Sequence, residues 1–528
     1  MYQGIETFGK IVEHRAKLKP AARFVRFESS DLTYDQFHRS GNQVANAFKW
    51  LGLTKGNTCA VMLPNSPEFL AVWLGLTRIG VIEVPINTAF RGDLLTYILN
   101  KAECQVIVIS SQWVDRINQI SDDLLHLQHV IVVGEDDHPI PNKIGWYSYS
   151  DLISKASDSE IEVTIQPEDS SLILFTSGTT GPSKGVILTH RANFSVAKTA
   201  CELMKYGPED RLFTAFPLFH VNARYTTILV ALLVDCDVVM HSKFSASRFW
   251  DICRKEQITA FNFMGSLLTM LMKQPERDED GDNPVQKAFG APTPLEIYEA
   301  FEERFQVKIS EVYGSTELGT ALYNPASSFR KGSCGFAVPI FEVEIHDEYD
   351  NPCPPGVTGE IVARPKKPDI MFSGYYGMPE ATVESWRNLW FHTGDLGRMD
   401  EDGYFYFIDR NKDVVRRRGE NISSYEVERV INDHPAVFES AVIGVPSELS
   451  EEEVLALIIV KEGLEIEPEE LLDFCQERMA HFAIPRYIRF VKELPKNTSQ
   501  RVEKYKLREE GITEDTWDRE LVGYVVRR

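Results

Sequence analysis

The chain has 528 residues, with 56 Lys and Arg against 78 Asp and Glu, for a net charge of −22. Hydrophobic residues make up 43% and charged residues 25%, a globular composition that excludes a disordered chain, a collagen-like fibre and a coiled-coil rod. The length asks for more than one domain. The acidic balance argues against a nucleic-acid binder, because duplex binding needs a basic face to displace counterions; an acidic protein takes polyanions only where it concentrates positive charge locally.

The N-terminal segment MYQGIETFGKIVEHRAKLKP is broken by Glu6, Lys10 and Glu13, so it does not read as a signal peptide. Residues 35–53 carry apolar side chains at helical spacing, with Gly52 as a stop. Short β-rich runs follow at 58–63, 81–84, 104–109 and 129–133, with helical patterns between them such as 66–76. Strands alternating with helices predict a parallel sheet wrapped by helices. The most apolar stretch, 228–234, is followed by Asp235 and Asp237 and falls far short of the roughly 20 apolar residues of a membrane helix. That predicts no transmembrane segment and leaves peripheral membrane contact open.

Residues 341–365 alternate around a Pro/Gly turn, which predicts a small antiparallel β piece. A fresh α/β pattern begins near 425, with a helix at 425–433, strands at 440–444 and 454–460, and a helix at 468–480. The expected fold class is therefore α/β: a large N-terminal domain of parallel sheets with an antiparallel β subdomain, and a small α/β C-terminal domain. The polar stretch 409–411 is the favoured boundary. The eight cysteines are scattered, with no C-x-x-C pair and no zinc-type spacing, and read as inert thiols in a reducing cytoplasm.

The strongest local signal is SSLILFTSGTTGPSKGVILTH at 170–190. A buried strand at 172–175 leads into Thr176, Ser177, Gly178, Thr179, Thr180 and Gly181. The glycines allow close backbone approach to a ligand, the hydroxyls and N–H groups suit phosphate oxygens, and Lys184 adds positive charge. The spacing does not match a Walker A loop. An ordinary Gly/Thr-rich surface turn is the bland alternative.

Downstream, Glu311-Val312-Tyr313-Gly314-Ser315-Thr316-Glu317 offers Tyr313 to stack on a base, Thr316 to reach a phosphate and Glu317 as a hard oxygen ligand for Mg²⁺. Asp395 in HTGD suits ribose hydroxyls, and Arg410 can donate to the same ribose. Taken singly, an acidic residue after a turn is usually a solvated cap, and Asp409–Arg410 has the form of a surface ion pair. Their order along the chain, together with the 176–185 loop, makes coincidence implausible.

The motifs TSGTTGPSKG (176–185), PLFHV (217–221), YGSTE (313–317), GYYGMPEAT (374–382), HTGDLG (392–397) and DRNKDVVRRRGENIS (409–423) span most of the chain. In this order the sequence resembles the adenylate-forming superfamily of acyl-CoA synthetases, peptide-synthetase adenylation domains and beetle luciferases. The resemblance is closest to acyl-CoA ligases, including the carnitine/crotonobetaine-CoA ligase type. It implies that a carboxylic acid attacks the α-phosphate of ATP, that pyrophosphate leaves, and that the CoA thiol then captures the acyl group after a mobile C-terminal lid has rotated. It implies domains at 1–408 and 413–528 with a hinge at 409–412.

Residue by residue, the resemblance implies β/γ-phosphate contacts from Thr176–Gly181 and Lys184, and Mg²⁺ on Glu317 with Thr176. It implies adenine near Gly290, Ala291, Pro292 and Tyr313, ribose on Asp395 and Arg410, and Lys412 as the hinge residue. Arg418, Gly419 and Glu420 fall where the family lines the pantetheine passage of CoA. His220 resembles the gate beside the acyl pocket, with a packed histidine as the alternative. Asn222 and Arg224 follow at acyl-pocket positions. A buried arginine needs a partner. Arg224 therefore finds an internal carboxylate or binds one in the substrate, and the second alternative favours a short polar or dicarboxylic acid over a long fatty acid. Basic residues bunch at Arg410, Lys412, Arg416, Arg417 and Arg418, and again at Lys496, Arg501, Lys504, Lys506 and Arg508, as clusters for the phosphates of ATP and CoA or as solvated faces.

One departure stands out. Where the family carries a threonine-glycine-lysine run, this chain has Thr498-Ser499-Gln500-Arg501, so Arg501 stands where the adenylation lysine is expected. Arginine keeps the charge on a wider planar fork. Arg501 is the first candidate for that role, Lys504 the second, and impaired adenylation the third. The main functional expectation is an acid–CoA ligase. The alternatives are an adenylation enzyme loading a carrier protein, a degenerate nucleotide-binding homologue without turnover, and a luciferase-like oxidation. The expected partners are a small carboxylic acid, ATP and CoA, with a homodimer among the allowed assemblies.

Overall fold

The structure is a computed structural model that describes residues 6–135, 144–176, 183–293, 297–410, 414–448, 451–495, 502 and 504–527. The chain packs as two compact units. One comprises residues 1–88, 99–175 and 185–409; the other comprises 89–98, 176–184 and 410–528. The division is not contiguous in sequence.

Two large sheets carry the first unit. One sheet orders Gly374–Tyr375, Lys184–Thr189, Ser170–Thr176, Ile82–Pro85, Thr58–Met62, Val106–Ser110, His129–Val133 and Gly145–Ser148, and it is parallel from Ser170–Thr176 onward. Thr58–Met62 and Val106–Ser110 are buried at every position, as strands covered on both faces must be. The other sheet has a parallel centre, Lys308–Ser315, Lys287–Gly290, Ala260–Phe263, Arg211–Thr214, Asp237–Met240 and Arg23–Phe27. The antiparallel strands Gly319–Asn324 and Ser30–Thr33 flank that centre.

Residues 341–365 form the antiparallel pair that their alternation predicts. Phe341–His346 pairs with Gly359–Pro365, which pairs with Trp390–Met399; Trp386–Arg387 and Phe405–Arg410 complete a five-stranded sheet. Helix ends follow side-chain chemistry. Tyr34–Trp50 starts at a capping box of Thr33 and Gln36. Pro67–Ile79 is capped by Ser66 and stopped by Gly80 in the left-handed region, at φ 70°. It runs past the expected end at 76 because that stop comes four residues later. The two helices pack closely: a Cβ on Gly41 would lie 2.4 Å from Leu74 Cδ2.

In the second unit Val437–Pro446 pairs antiparallel with Glu452–Val460, which runs parallel to Tyr487–Phe490. The helices Ser424–Asn432 and Pro468–Gln476 supply its apolar core with Val427, Ile431, Leu471, Leu472 and Cys475. All eight cysteines are free thiols; six are buried, while Cys201 and Cys353 are half-buried. Among the described residues no helix is long and apolar enough to cross a membrane.

Candidate functional site

In the first unit Gly290 ends a strand, Glu311, Tyr313 and Asp395 lie within strands, and Thr316 and Glu317 follow one. Gly290 ends Lys287–Gly290 opposite Glu311 on Lys308–Ser315. A Cβ on Gly290 would fall 2.0 Å from the Phe263 carbonyl oxygen, so glycine is required by backbone crowding alone. Ala291 and Pro292 follow, joined by a cis peptide bond. Thr293 N–H donates to Glu311 Oε2 at 3.3 Å. Burial pushes the Glu311 carboxyl up to about 7, because the charged form loses its hydration.

Beyond Glu311, Val312 and Tyr313 keep the ladder with Gly319–Asn324, and the register slips at Gly314. A Cβ on Gly314 would meet the Gly319 carbonyl oxygen at 1.8 Å. Tyr313 Oη donates to Asp395 Oδ2 at 2.7 Å, joining two motifs 82 residues apart. Burial, reinforced by the Asp395 charge, holds the Tyr313 hydroxyl well above its ordinary range. Thr316 lies half-buried in the turn that follows, and Glu317 Oε1 accepts the Tyr375 hydroxyl at 3.0 Å.

His220 precedes the short helix Val221–Ala223, half-buried with its ring 4.7 Å from that of Phe219. The chain continues as a π-helical turn, Arg224–Ile228, a geometry frequent at functional sites. Asn222 Oδ1 accepts from Asn262 Nδ2 at 3.1 Å, and the same amide nitrogen reaches Thr226 and Thr227 hydroxyls at 2.8 Å each.

Arg224 is corrected by the structure. It is fully buried and forks onto both oxygens of Glu83, with Nη1 to Oε2 at 2.7 Å, and it also donates to the Leu218 carbonyl. Its guanidinium stacks 4.8 Å from the Trp73 ring and 5.0 Å from that of Phe69. Of the two alternatives for a buried arginine, this chain takes the internal carboxylate. The expectation of a short polar or dicarboxylic acid, which rested on Arg224 meeting the substrate, loses that premise. The signal was present in the sequence: Glu83 is the lone charge in the apolar run 81–86, and such a charge needs a partner.

In the second unit Ser183 Oγ donates to the Thr176 carbonyl at 2.7 Å, closing the neck between the two strands that flank the glycine-rich loop, with Lys184 opening the second of them. Ser177, Gly178, Thr179, Thr180 and Gly181 lie outside the described residues, as do Lys412 and Arg501 and the side chain of Arg410. Arg418 and Gly419 form the turn between Val414–Arg417 and Glu420–Ser423, at φ 51° and 85°. Gly419 N–H donates to Glu451 Oε2 at 2.8 Å, and Arg418 reaches Glu453 at 3.4 Å.

The basic clusters are less available to phosphates than their sequence suggests. Arg417 is buried, pairs with Glu453 at 2.5 Å and donates to the Phe482 carbonyl at 2.7 Å. Lys504 pairs with Glu428 at 2.6 Å and donates to Ser424 Oγ at 2.7 Å. Sequence reasoning missed Glu83, Asn262, Tyr375 and Glu428 as the partners that fix these side chains.

Comparison with known proteins identifies the family. Residues 12–376 match the model of the AMP-binding enzyme family, and 426–501 match that of the AMP-binding enzyme C-terminal domain. A crotonobetaine/carnitine–CoA ligase of Salmonella typhi is 33% identical over 484 residues, covering 90% of this chain and 93% of the relative. ATP-bound MatB from Rhodopseudomonas palustris superposes with a TM-score of 0.67 at 29% identity, over 94% of this chain and 98% of that one. The o-succinylbenzoate CoA synthetase of Bacillus subtilis, bound to a product analogue, shares the fold with a TM-score of 0.83 at 24% identity, over 95% and 98% of the two chains. The chain belongs to the AMP-binding enzyme family, among the adenylate-forming acyl-CoA ligases, which are AMP-forming acid–thiol ligases.

Proposed function

We propose that this ligase joins a short polar carboxylic acid to CoA and that the residues named above carry the two half-reactions. In the first, a carboxylate oxygen bonds to the α-phosphorus of ATP, the bond to the bridging oxygen breaks, and pyrophosphate leaves. In the second, the CoA thiolate attacks the acyl carbonyl and AMP leaves. Negative charge crowds the first step, so the protein's task is to place cations and oriented donors. Thr176–Gly181 and Lys184 take the β/γ-phosphates. Gly290, Ala291, Pro292, Glu311, Val312, Tyr313 and Gly314 frame the base, with Thr316 at a phosphate. Asp395 and Arg410 hold the ribose, and Arg501, ahead of the already paired Lys504, meets the acyl carboxylate and α-phosphate. Lys412 is the hinge, and Arg418, Gly419 and Glu420 line the path of CoA.

The observation that carries this reading is the Tyr313–Asp395 hydrogen bond, which brings the base motif and the ribose motif to one place. Mg²⁺ fits the donor chemistry. Among the described residues no group of three or more His, Cys, Asp or Glu converges into a metal cage. Mg²⁺ needs none, because it keeps most of its waters and takes one or two carboxylates with substrate phosphates. Glu317, with Thr176, would hold it, and when bound it supplies charge neutralisation of the triphosphate. Glu317→Gln is expected to lose Mg²⁺-dependent adenylation by roughly a hundredfold or more while ATP binding weakens less.

The acid preference rests on two supports: Arg224 is neutralised by Glu83, and Asn222, Thr226 and Asn262 leave polar rather than cationic groups beside it. The named acids of the Salmonella relative are of this class. The test is a panel of carnitine-type, dicarboxylic, aromatic and fatty acids with ATP, Mg²⁺ and CoA, read by pyrophosphate release and thioester mass. Carnitine-type acids are expected to give both signals. Pyrophosphate without thioester would indicate carrier loading, and neither signal from any acid would reject the ligase reading.

A further inference from the structure

The strand Trp390–Met399 carries a bend that a single carboxylate holds. It pairs with Gly359–Pro365, with Val362 opposite His392 and Glu360 opposite Leu396. Between those pairs one strand contributes only Ile361, while the other contributes Thr393, Gly394 and Asp395. The surplus residues form a bulge, with Gly394 in the left-handed region at φ 74°. Bulged residues lose their ladder partners, and their buried N–H groups must bond elsewhere.

Here side chains take them. Gly394 N–H donates to Glu360 Oε1 at 2.8 Å, and Asp395 N–H donates to Thr393 Oγ1 at 3.0 Å. The Thr393 hydroxyl in turn donates to the Ile361 carbonyl at 2.7 Å. Glu360 Oε2 lies 2.8 Å from His392 Nδ1 and 3.3 Å from the Arg387 guanidinium, which also donates to Asp350 at 3.2 Å. The Glu360 side chain is 17% exposed and that of His392 is 6%. One carboxylate thus grips the bulge backbone with one oxygen and is itself oriented through the other.

We propose that Glu360 is a positioning residue for nucleotide recognition: it fixes the 393–395 bulge so that the Asp395 carboxylate points at Tyr313 and at the ribose hydroxyls. The ribose half of this statement rests on the assignment of Asp395 under Proposed function. Without Glu360, Gly394 has an unsatisfied N–H and the freest backbone in the bulge, so the Asp395 carboxylate loses its fixed place. A misplacement of about 1 Å is enough to spoil a binding geometry. A merely structural role would lower the melting temperature and leave the choice among nucleotides unchanged.

The test uses the full-length protein with Mg²⁺ and no acid. Calorimetry gives Kd for ATP, 2′-deoxy-ATP and 3′-deoxy-ATP, and the deoxy-to-ATP ratio is the readout. Asp395→Ala is expected to bring that ratio close to one. Glu360→Ala is expected to lower it about fivefold, the worth of roughly one hydrogen bond. Glu360→Gln keeps an acceptor for Gly394 N–H and is expected to restore most of it. Should Glu360→Ala not fold, Glu360→Asp, one methylene short of reaching both partners, is read instead. An unchanged ratio at position 360 beside a collapsed ratio in Asp395→Ala overturns the positioning role alone. No discrimination in the unsubstituted protein, or full discrimination in Asp395→Ala, overturns the ribose assignment and this proposal with it.

Discussion

Glu83, on the strand Ile82–Pro85, and Glu311, on the strand Lys308–Ser315, meet burial in opposite ways. Glu83 is 1% exposed and holds the Arg224 guanidinium through both oxygens. Glu311 has, among the described residues, no cation beside it; it accepts one backbone N–H, and burial lifts its carboxyl to about 7. Taking a carboxylate into a sheet costs its hydration; a cation that comes with it offsets that cost, and without one the carboxyl moves toward the protonated form. The first solution is architecture. The second leaves a group that titrates near neutrality beside Gly290 and Tyr313, and perturbed groups of that kind gather at functional sites.

The largest effect is expected from breaking the first solution. Glu83→Gln strands the Arg224 charge in the core, and losing one partner of a buried pair costs about 3–5 kcal/mol. Urea unfolding should show the midpoint falling accordingly. The double variant Glu83→Gln/Arg224→Met should be destabilised by less than the sum of the two singles, because it leaves no orphaned charge. An unchanged midpoint in Glu83→Gln would mean that Arg224 has another counter-charge, and the contrast with Glu311 would vanish.

The second solution predicts a pH dependence of definite sign. The Glu311 carboxyl is raised to about 7 in the folded chain, against about 4.3 when unfolded. Between those values the folded state binds the extra proton, so this group's contribution to stability falls as pH rises and is level above about 7. Glu311→Gln removes that dependence. Between pH 5 and pH 8 the variant should gain roughly 2–3 kcal/mol relative to the unsubstituted protein. Glu426, on the helix Ser424–Asn432, is also lifted to about 7 by burial, and burial raises the Glu451 carboxyl too, so the substitution removes one of several parallel contributions and a residual slope should remain. Identical slopes in both proteins would show that Glu311 stays ionised.

These contrasts mark how far the sequence could be read. The glycine-rich loop, YGSTE and HTGD were legible because each packs its chemistry into a few consecutive residues. The strands and helices were legible because periodicity and caps such as Ser66 and Thr33 are local. Partnerships across the fold were not. Glu83 lies 141 residues from Arg224, and Asp395 lies 82 from Tyr313. An isolated charge in an apolar run announces that it needs a partner but not which one. The same gap left the basic run 416–418 open between a phosphate-facing cluster and a solvated face, although Arg417 is buried and spent on Glu453. The roles proposed for the loop 177–181, Lys412 and Arg501 were legible through the motif resemblance.

The smallest expected effect separates a third way of keeping a carboxylate in place. Asp395 is buried on the strand Trp390–Met399, and one of its donors is the Tyr313 hydroxyl rather than a cation. Tyr313→Phe deletes that donor and leaves the ring, so packing on the apolar side is kept. Losing one hydrogen bond of this kind costs about 1 kcal/mol, less than either change above. If Tyr313 and Asp395 act together on the nucleotide, the loss should appear as about a fivefold weaker ATP affinity by calorimetry. The Asp395→Ala/Tyr313→Phe double variant should then bind ATP no worse than Asp395→Ala alone, since the hydroxyl has nothing left to orient. Additive losses in the double variant would mean that the two side chains touch the nucleotide independently, and the hydrogen bond between them would then be packing rather than mechanism.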